Sequence, residues 1–175
     1  MLLGVCGSSA AGAGDQLVEQ AARHASRIDV VVTTAALRFL PPLPHDVRVF
    51  SDADWTGRPD DPLHLRLLEG ADLFLIAPVT ATTLARCATG MADTLLSALV
   101  LAHGPGVHFA PSMNTRMWTS PPTARNTAVL RADGHHVLEP EPADSLTDST
   151  VGSGVGGIPG RTLDRVILHL DSRRS

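Results

Sequence analysis

Short apolar runs alternate with helical segments along almost the whole chain, and this alternation constrains the fold more than any other feature. Apolar or β-branched runs fall at residues 2–6, 29–33 (DVVVT), 47–50, 72–77 (DLFLIA), 107–110 and 135–138. Between them lie segments of helical spacing or composition. They cover 16–27, where Leu17, Ala21, Ala25 and Ile28 recur, a short piece through Phe39, then 62–69, 80–102, 122–132 and 161–171. The strand-like runs are apolar on both faces, which predicts a parallel sheet covered on both sides. The expected architecture is therefore α/β, a single-domain Rossmann-like or flavodoxin-like parallel sheet of about six strands with helices on both faces. Pro41, Pro42 and Pro44 break the helix after Phe39, Pro78 is expected to end the fourth strand, and Gly90 to interrupt the helix over 80–102. A length of 175 residues suits one domain over 1–175 with a substantial core.

Composition removes several kinds of chemistry. All 14 basic residues are arginine, so no lysine Schiff base, pyridoxal-phosphate lysine or P-loop lysine exists. There is no tyrosine, and aromatics at 3% are too sparse for base-stacking platforms. The net charge of −4 gives no basic field, so no nucleic-acid partner is expected. Cys6 and Cys87 cannot build a disulfide framework or a CxxC site. The start, MLLGVCGSSAAGAG, lacks the basic segment of a signal peptide, and no apolar run is long enough to span a bilayer. A cytoplasmic protein without a membrane partner is expected.

In such a sheet the βα turns gather at the carboxyl edge, where ligands bind. The first turn, GVCGSSAAGAG, brings Gly7, Ser8 and Ser9 there, small residues and hydroxyls suited to a phosphate, although a plain tight turn reads as well. It contains no GxGxxG, so a dinucleotide is not implied. Thr33 and Thr34 end the second strand at the same edge, and two hydroxyl-bearing turns side by side suit a mononucleotide phosphate. The fourth strand runs into APVTATT, with Pro78, Thr80 and Thr82; Thr80 also reads as a helix N-cap. The fifth runs into APSMNTRMW, with Met113 and Asn114; Asn114 orients a carboxylate or a flavin edge, or serves the turn. His64, in PLHLRLL, is acid/base or structural. His135-His136 has no partners at metal spacing, and no metal site is expected. Residues 139–160, rich in Gly, Pro, Ser and acid, form the one break in composition.

Taken in order, these segments closely resemble the homo-oligomeric flavin-containing cysteine decarboxylases. Ser8 and Ser9 stand at the family's first flavin-phosphate turn, VVVTTAALRFL places Thr33 and Phe39 at matching positions, and His64 stands at the active-site histidine. APVTATTLARCATGMADTLL resembles the proline-alanine-serine-alanine-asparagine-threonine motif and the segment after it. APSMNTRMW resembles the proline-x-methionine-asparagine-x-x-methionine-tryptophan motif. Thr82 and Thr94 replace family asparagines. The resemblance implies bound FMN, held by Gly7, Ser8, Ser9, Thr33, Phe39, Pro78, Thr80, Thr82 and Met113. It also implies a trimer, or four trimers packed as a dodecamer, with FMN at the subunit interface and Asp93 and Trp118 near that boundary.

Pantothenate-pathway members carry a cysteine in the tail that serves when an enethiol is reduced back to a thiol. Here the region reads VGSGVGGIPGRT, and no cysteine follows Cys87. That absence resembles the epidermin and mersacidin decarboxylases, whose substrate is the C-terminal cysteine of a precursor peptide. The expected reaction is thus FMN-dependent oxidative decarboxylation of a peptidyl cysteine, giving an aminoenethiol for a lanthipeptide-type product. The alternatives are phosphopantothenoylcysteine decarboxylation and a non-catalytic flavin-binding regulatory subunit; a flavin prenyltransferase is disfavoured by the methionine-asparagine pair. In the implied mechanism FMN oxidises the cysteine side chain to a thioaldehyde, so the carboxylate lies β to an electron-accepting C=S group. His64 acts as acid/base near the thiol, Asn114 binds the carboxylate, and Met113 packs beside it. Residues 139–160 are expected to be mobile when empty and to close as a substrate clamp. Gly152, Gly154, Gly156, Gly157 and Gly160 form its hinge, and Gly154 and Gly157 touch substrate.

Overall fold

The computed structural model describes residues 1–44, 46–55, 62–143, 154–156 and 159–172. The first half contains β1 (Leu2–Val5), α1 (Gly14–Ala21), β2 (Asp29–Val32), β3 (Arg48–Phe50), α2 (Leu63–Leu68), β4 (Phe74–Val79) and α3 (Ala81–Ala88). Then follow α4 (Leu95–His103), β5 (His108–Pro111), β6 (Met113–Asn114), α5 (Thr115–Trp118), α6 (Pro121–Ala132), β7 (His136–Val137), β8 (Pro142–Ala143), β9 (Gly154–Val155) and α7 (Pro159–Ser172). Short 3-10 turns occupy Ser9–Ala13, Ala36–Arg38 and Asp52–Asp54.

Six strands form one parallel sheet in the order β3-β2-β1-β4-β5-β7, as the alternation of segments predicts. Successive side chains of each strand point to opposite faces. In β1, Leu2 joins the cluster under α2, α3, α4 and α6, which contribute Leu63, Leu67, Leu84, Leu96, Leu99 and Leu130. Leu3 and Val5 join the opposite cluster, under Leu17 and Val18 of α1 and Leu163 and Val166 of α7. Gly4 sits where a Cβ would lie 2.8 Å from Leu96 and 2.9 Å from Ile76, so its lack of a side chain lets α4 approach the sheet. The strand order reverses direction between β1 and β4, which places a crevice at their carboxyl ends.

Several element boundaries differ from the sequence expectation, each for a local reason. The helix over 16–27 stops as α1 at Ala21, because Arg23 and His24 donate to carbonyls three residues back. Ala25 and Ile28 still pack on the α1 face of the sheet, so the periodic apolar signal outlasts the helix. Pro78 does not end the fourth strand. β4 runs through it to Val79, since a proline inside a strand lacks only its N–H, and the Pro78 carbonyl accepts from Cys6 N at 3.0 Å. The interruption expected at Gly90 is present: the helix over 80–102 divides there into α3 and α4, and Gly90 has φ 68°. A second sheet, in the order β6-β9-β8, had no signal in the pattern because its strands are only two residues long. Among the described residues no helix is long and apolar enough to cross a membrane.

Candidate active site

The crevice between β1 and β4 is lined by the first turn. Gly7 packs so closely on the turn after β2 that a Cβ would fall 2.4 Å from the Cβ of Ala35. Ser8 caps the following 3-10 turn, its hydroxyl accepting from Ala10 N at 3.4 Å and sharing a 2.9 Å hydrogen bond with the Ser112 hydroxyl. Ser9 opens that turn. Beside them, Thr33 Oγ1 is buried with no hydrogen-bond partner among the described residues. A buried hydroxyl without a partner is costly, and an anionic oxygen would satisfy it. The glycine, the serine pair and this orphan hydroxyl therefore fit the phosphate of a mononucleotide. Phe39 ends the same segment and is exposed, as are Leu37 and Val49 nearby.

On the β4 side, the Thr80 oxygen accepts from Thr83 N at 3.4 Å, the N-cap role weighed for it in the sequence. Thr83 in turn accepts from the Cys6 thiol at 3.3 Å. Thr82 is exposed. Burial pushes the Cys6 thiol up to about 11 and Cys87 up to about 12, so both stay protonated at neutral pH.

Beyond β5, the Asn114 Oδ1 accepts from Arg116 N at 2.8 Å and so caps α5. With that oxygen committed, the two amide N–H donors are the groups left to bind an acceptor such as a carboxylate. Met113 and Asn114 also form β6, pairing antiparallel with Val155 and Gly154 of β9. Part of the expected clamp thus lies directly on the methionine-asparagine strand. Gly156 completes the seat: it has φ 152°, and a Cβ there would meet Ser112 Oγ at 2.8 Å. Gly154 is buried. Gly152, Gly157 and residues 144–153 lie outside the described residues.

His64 is the second residue of α2. Because α2 leads into β4, it runs against the strand direction, and its start lies at the carboxyl edge. His64 is half-buried, its Nδ1 has no partner among the described residues, and its ring meets Trp55 edge-on. The structure joins Gly7, Ser8 and Thr33 on one flank, and Met113, Asn114 and Gly154 on the other, with Ser8···Ser112 as the link. His64 shares the edge without a described contact to Asn114. Sequence reasoning passed over Ser112, although a hydroxyl between Pro111 and Met113 was a readable signal. It also passed over Asp52, whose partner Leu95 lies far along the chain, and Trp55, whose ring contact is with His64. No metal-binding group occurs among the described residues.

The flavoprotein family model matches residues 1–159. The chain belongs to the Flavoprotein family. Its relatives within the family include cysteine decarboxylases. The chain is 38% identical, over 160 residues, to a probable phosphopantothenoylcysteine decarboxylase of Streptococcus mutans, covering 88% of this flavoprotein and 89% of that one. It is 40% identical over 162 residues to the coenzyme A biosynthesis bifunctional protein CoaBC of Mycobacterium tuberculosis, covering 88% of this chain but 37% of that longer protein. In structure it is similar to a cysteine-to-serine mutant of PPC decarboxylase complexed with pantothenoylaminoethenethiol, with TM-score 0.89, 32% identity and 97% of both chains covered. It is also similar to the FMN-dependent cysteine decarboxylase TvaF from thioviridamide biosynthesis, with TM-score 0.69, 30% identity, and 79% of this chain and 88% of that one covered. Of these four, the first three carry names of phosphopantothenoylcysteine decarboxylation or coenzyme A biosynthesis, the alternative rather than the main expectation from the sequence.

Proposed function

We propose that this flavoprotein binds FMN and decarboxylates phosphopantothenoylcysteine. The observation that carries the reading is the agreement with PPC decarboxylase along 97% of both chains. Gly7, Ser8, Ser9 and Thr33 hold the phosphate of FMN, the orphan hydroxyl of Thr33 gaining the acceptor it lacks. Phe39, Pro78, Thr80, Thr82 and Met113 border the ring system. When bound, FMN would take up two electrons from the cysteine side chain, giving a C=S group able to receive the electrons released with CO2, and would return them to the resulting enethiol, so that CO2 alone is lost. Asn114 orients the carboxylate through its amide donors, His64 moves the proton at sulfur, and β9 with Gly154 covers the substrate and excludes water. Assembly into trimers, or a dodecamer of trimers, with FMN at the boundary belongs to the same reading. The exposed Leu37, Phe39, Val49 and Met117 are apolar surface for such contacts. A cytoplasmic location is part of the proposal.

A second reading, a peptidyl-cysteine decarboxylase releasing an aminoenethiol, is favoured by one specific feature: no cysteine follows Cys87. The likeness to TvaF supports it at lower structural similarity. Offering the purified protein phosphopantothenoylcysteine and a C-terminal-cysteine peptide in competition decides between them. Turnover of phosphopantothenoylcysteine with loss of CO2 alone supports the first reading. Turnover of the peptide with loss of CO2 and two hydrogens supports the second, and turnover of neither refutes both.

A further inference from the structure

Trp55 is not among the groups that the proposed chemistry uses, yet its indole is the described ring contact of His64. The ring centroids are 5.9 Å apart and the planes meet at 70°, an edge-to-face arrangement. His64 Nδ1 is buried with no hydrogen-bond partner among the described residues, so none of them fixes the imidazole through that nitrogen. Its rotation about χ2 is broad by nature, and packing against a flat neighbour narrows it.

Trp55 is itself firmly placed. The Asp54 carboxylate accepts from Ser51 N at 2.8 Å and from Ser51 Oγ at 2.9 Å. Trp55 N donates to the Asp52 carbonyl at 3.2 Å, and Asp52 Oδ1 accepts from Leu95 N at 2.8 Å, which ties the turn to the start of α4. The indole packs against the cluster containing Leu63 and Leu67, the residues that anchor α2 on either side of His64. The segments after β3 and before β4 therefore meet at this ring contact and at the apolar cluster beneath it.

We propose that Trp55 is the positioning residue for His64, holding the imidazole plane in the orientation that proton transfer needs. The proposal rests on the reading of His64 as the acid/base. Loss of the ring lowers kcat and leaves binding intact, because the misplaced group is one that acts during reaction.

The test compares Trp55→Ala, Trp55→Leu and Trp55→Phe in the FMN-loaded protein. Trp55→Ala and Trp55→Leu are expected to lower kcat by about tenfold to a hundredfold, with KM and FMN affinity within about twofold. Trp55→Phe, which keeps an aromatic edge, retains most of kcat. Leucine refills the apolar volume without a ring, so recovery of kcat in Trp55→Leu would reduce Trp55 to core packing and overturn the proposal, as would equal loss in Trp55→Phe. Should the alanine variant fail to fold, the leucine and phenylalanine pair still decides. NMR gives a readout independent of activity: the carbon-bound ring protons of His64 lose a ring-current shift in Trp55→Leu and keep it in Trp55→Phe. If that shift depends on the indole while His64→Asn stays fully active, the reading of His64 has failed and the placement of its ring has not.

Discussion

Replacing Gly156 by alanine tests whether the tail is seated on the methionine-asparagine strand as the structure places it. Two separate costs arise. Gly156 has φ 152°, a conformation that side-chain-bearing residues rarely adopt, and forcing one there costs about 1–3 kcal/mol. The added Cβ would also stand 2.8 Å from Ser112 Oγ, 3.0 Å from its Cβ and 3.2 Å from its Cα. Overpacking of that kind costs about 1–3 kcal/mol more, because Ser112 is tied to Ser8 and cannot simply turn away. Together they oppose docking by about 2–6 kcal/mol, which exceeds what two short strand pairs contribute. The seated segment should therefore detach, with Gly156 N losing its 2.9 Å bond to the Glu141 carbonyl. Hydrogen exchange at residues 154–156 should rise to the rate of open chain, and KM for the cysteine substrate should rise while FMN affinity stays the same. Adding Ser112→Gly removes the overlaps with Oγ and Cβ but leaves the 3.2 Å approach to Cα and the backbone cost, so the double variant should recover only part of the protection. Unchanged exchange and unchanged KM in Gly156→Ala would refute the docking geometry.

Four further outcomes are expected. Asp29, 3% exposed, accepts from Arg27 Nε at 2.8 Å and from Arg48 Nε at 2.7 Å; Asp29→Leu should cost about 1–3 kcal/mol in urea unfolding, since the arginines can turn to water, and an unchanged midpoint would contradict this. Desolvation holds the His135 imidazole below its usual value, so the unfolded chain takes up its proton first as pH falls; stability from this group is complete above the ordinary histidine value and lost as pH drops below it. Thermal melts of His135→Gln should lose part of the acid-side slope, and an identical slope would contradict it. Cys6 and Cys87, raised to about 11 and 12, should resist alkylation at pH 8 until the protein is unfolded, and rapid labelling of native protein would be contrary evidence. His64→Asn and Asn114→Asp should each lower CO2 release by about a hundredfold or more without releasing FMN; near-normal turnover in the His64 variant would make that residue structural.

The sheet was legible because its strands are continuous apolar runs, such as residues 29–33 and 72–77, which have few other ways to be buried. The boundaries were less so, because spacing reports which side chains are buried and not the backbone that carries them: Ala25 and Ile28 are packed on the sheet beyond the end of α1. Pro78 misled for a related reason, since its carbonyl has a partner in Cys6 even though it has no N–H to give. At the site, residues at strand ends could be found from sequence, among them Gly7, Ser8, Thr33, Met113 and Asn114. What could not be read was pairing across long separations, Ser8 with Ser112 and Asp52 with Leu95, or the ring contact of Trp55 with His64 across a stretch that has no periodic signal. The seating of Gly154 and Gly156 on β6 and Ser112 was hidden for the same reason, because a two-residue strand carries no periodic signal.

The proposed reaction depends on oxidation of the cysteine side chain by FMN before CO2 is lost. Anaerobic mixing of the FMN-loaded protein with phosphopantothenoylcysteine, followed at the visible absorbance of oxidised flavin, tests this directly. The absorbance should fall no later than CO2 appears, and the serine analogue, which has no thiol, should leave it unchanged. Release of CO2 with the absorbance constant throughout would contradict the account.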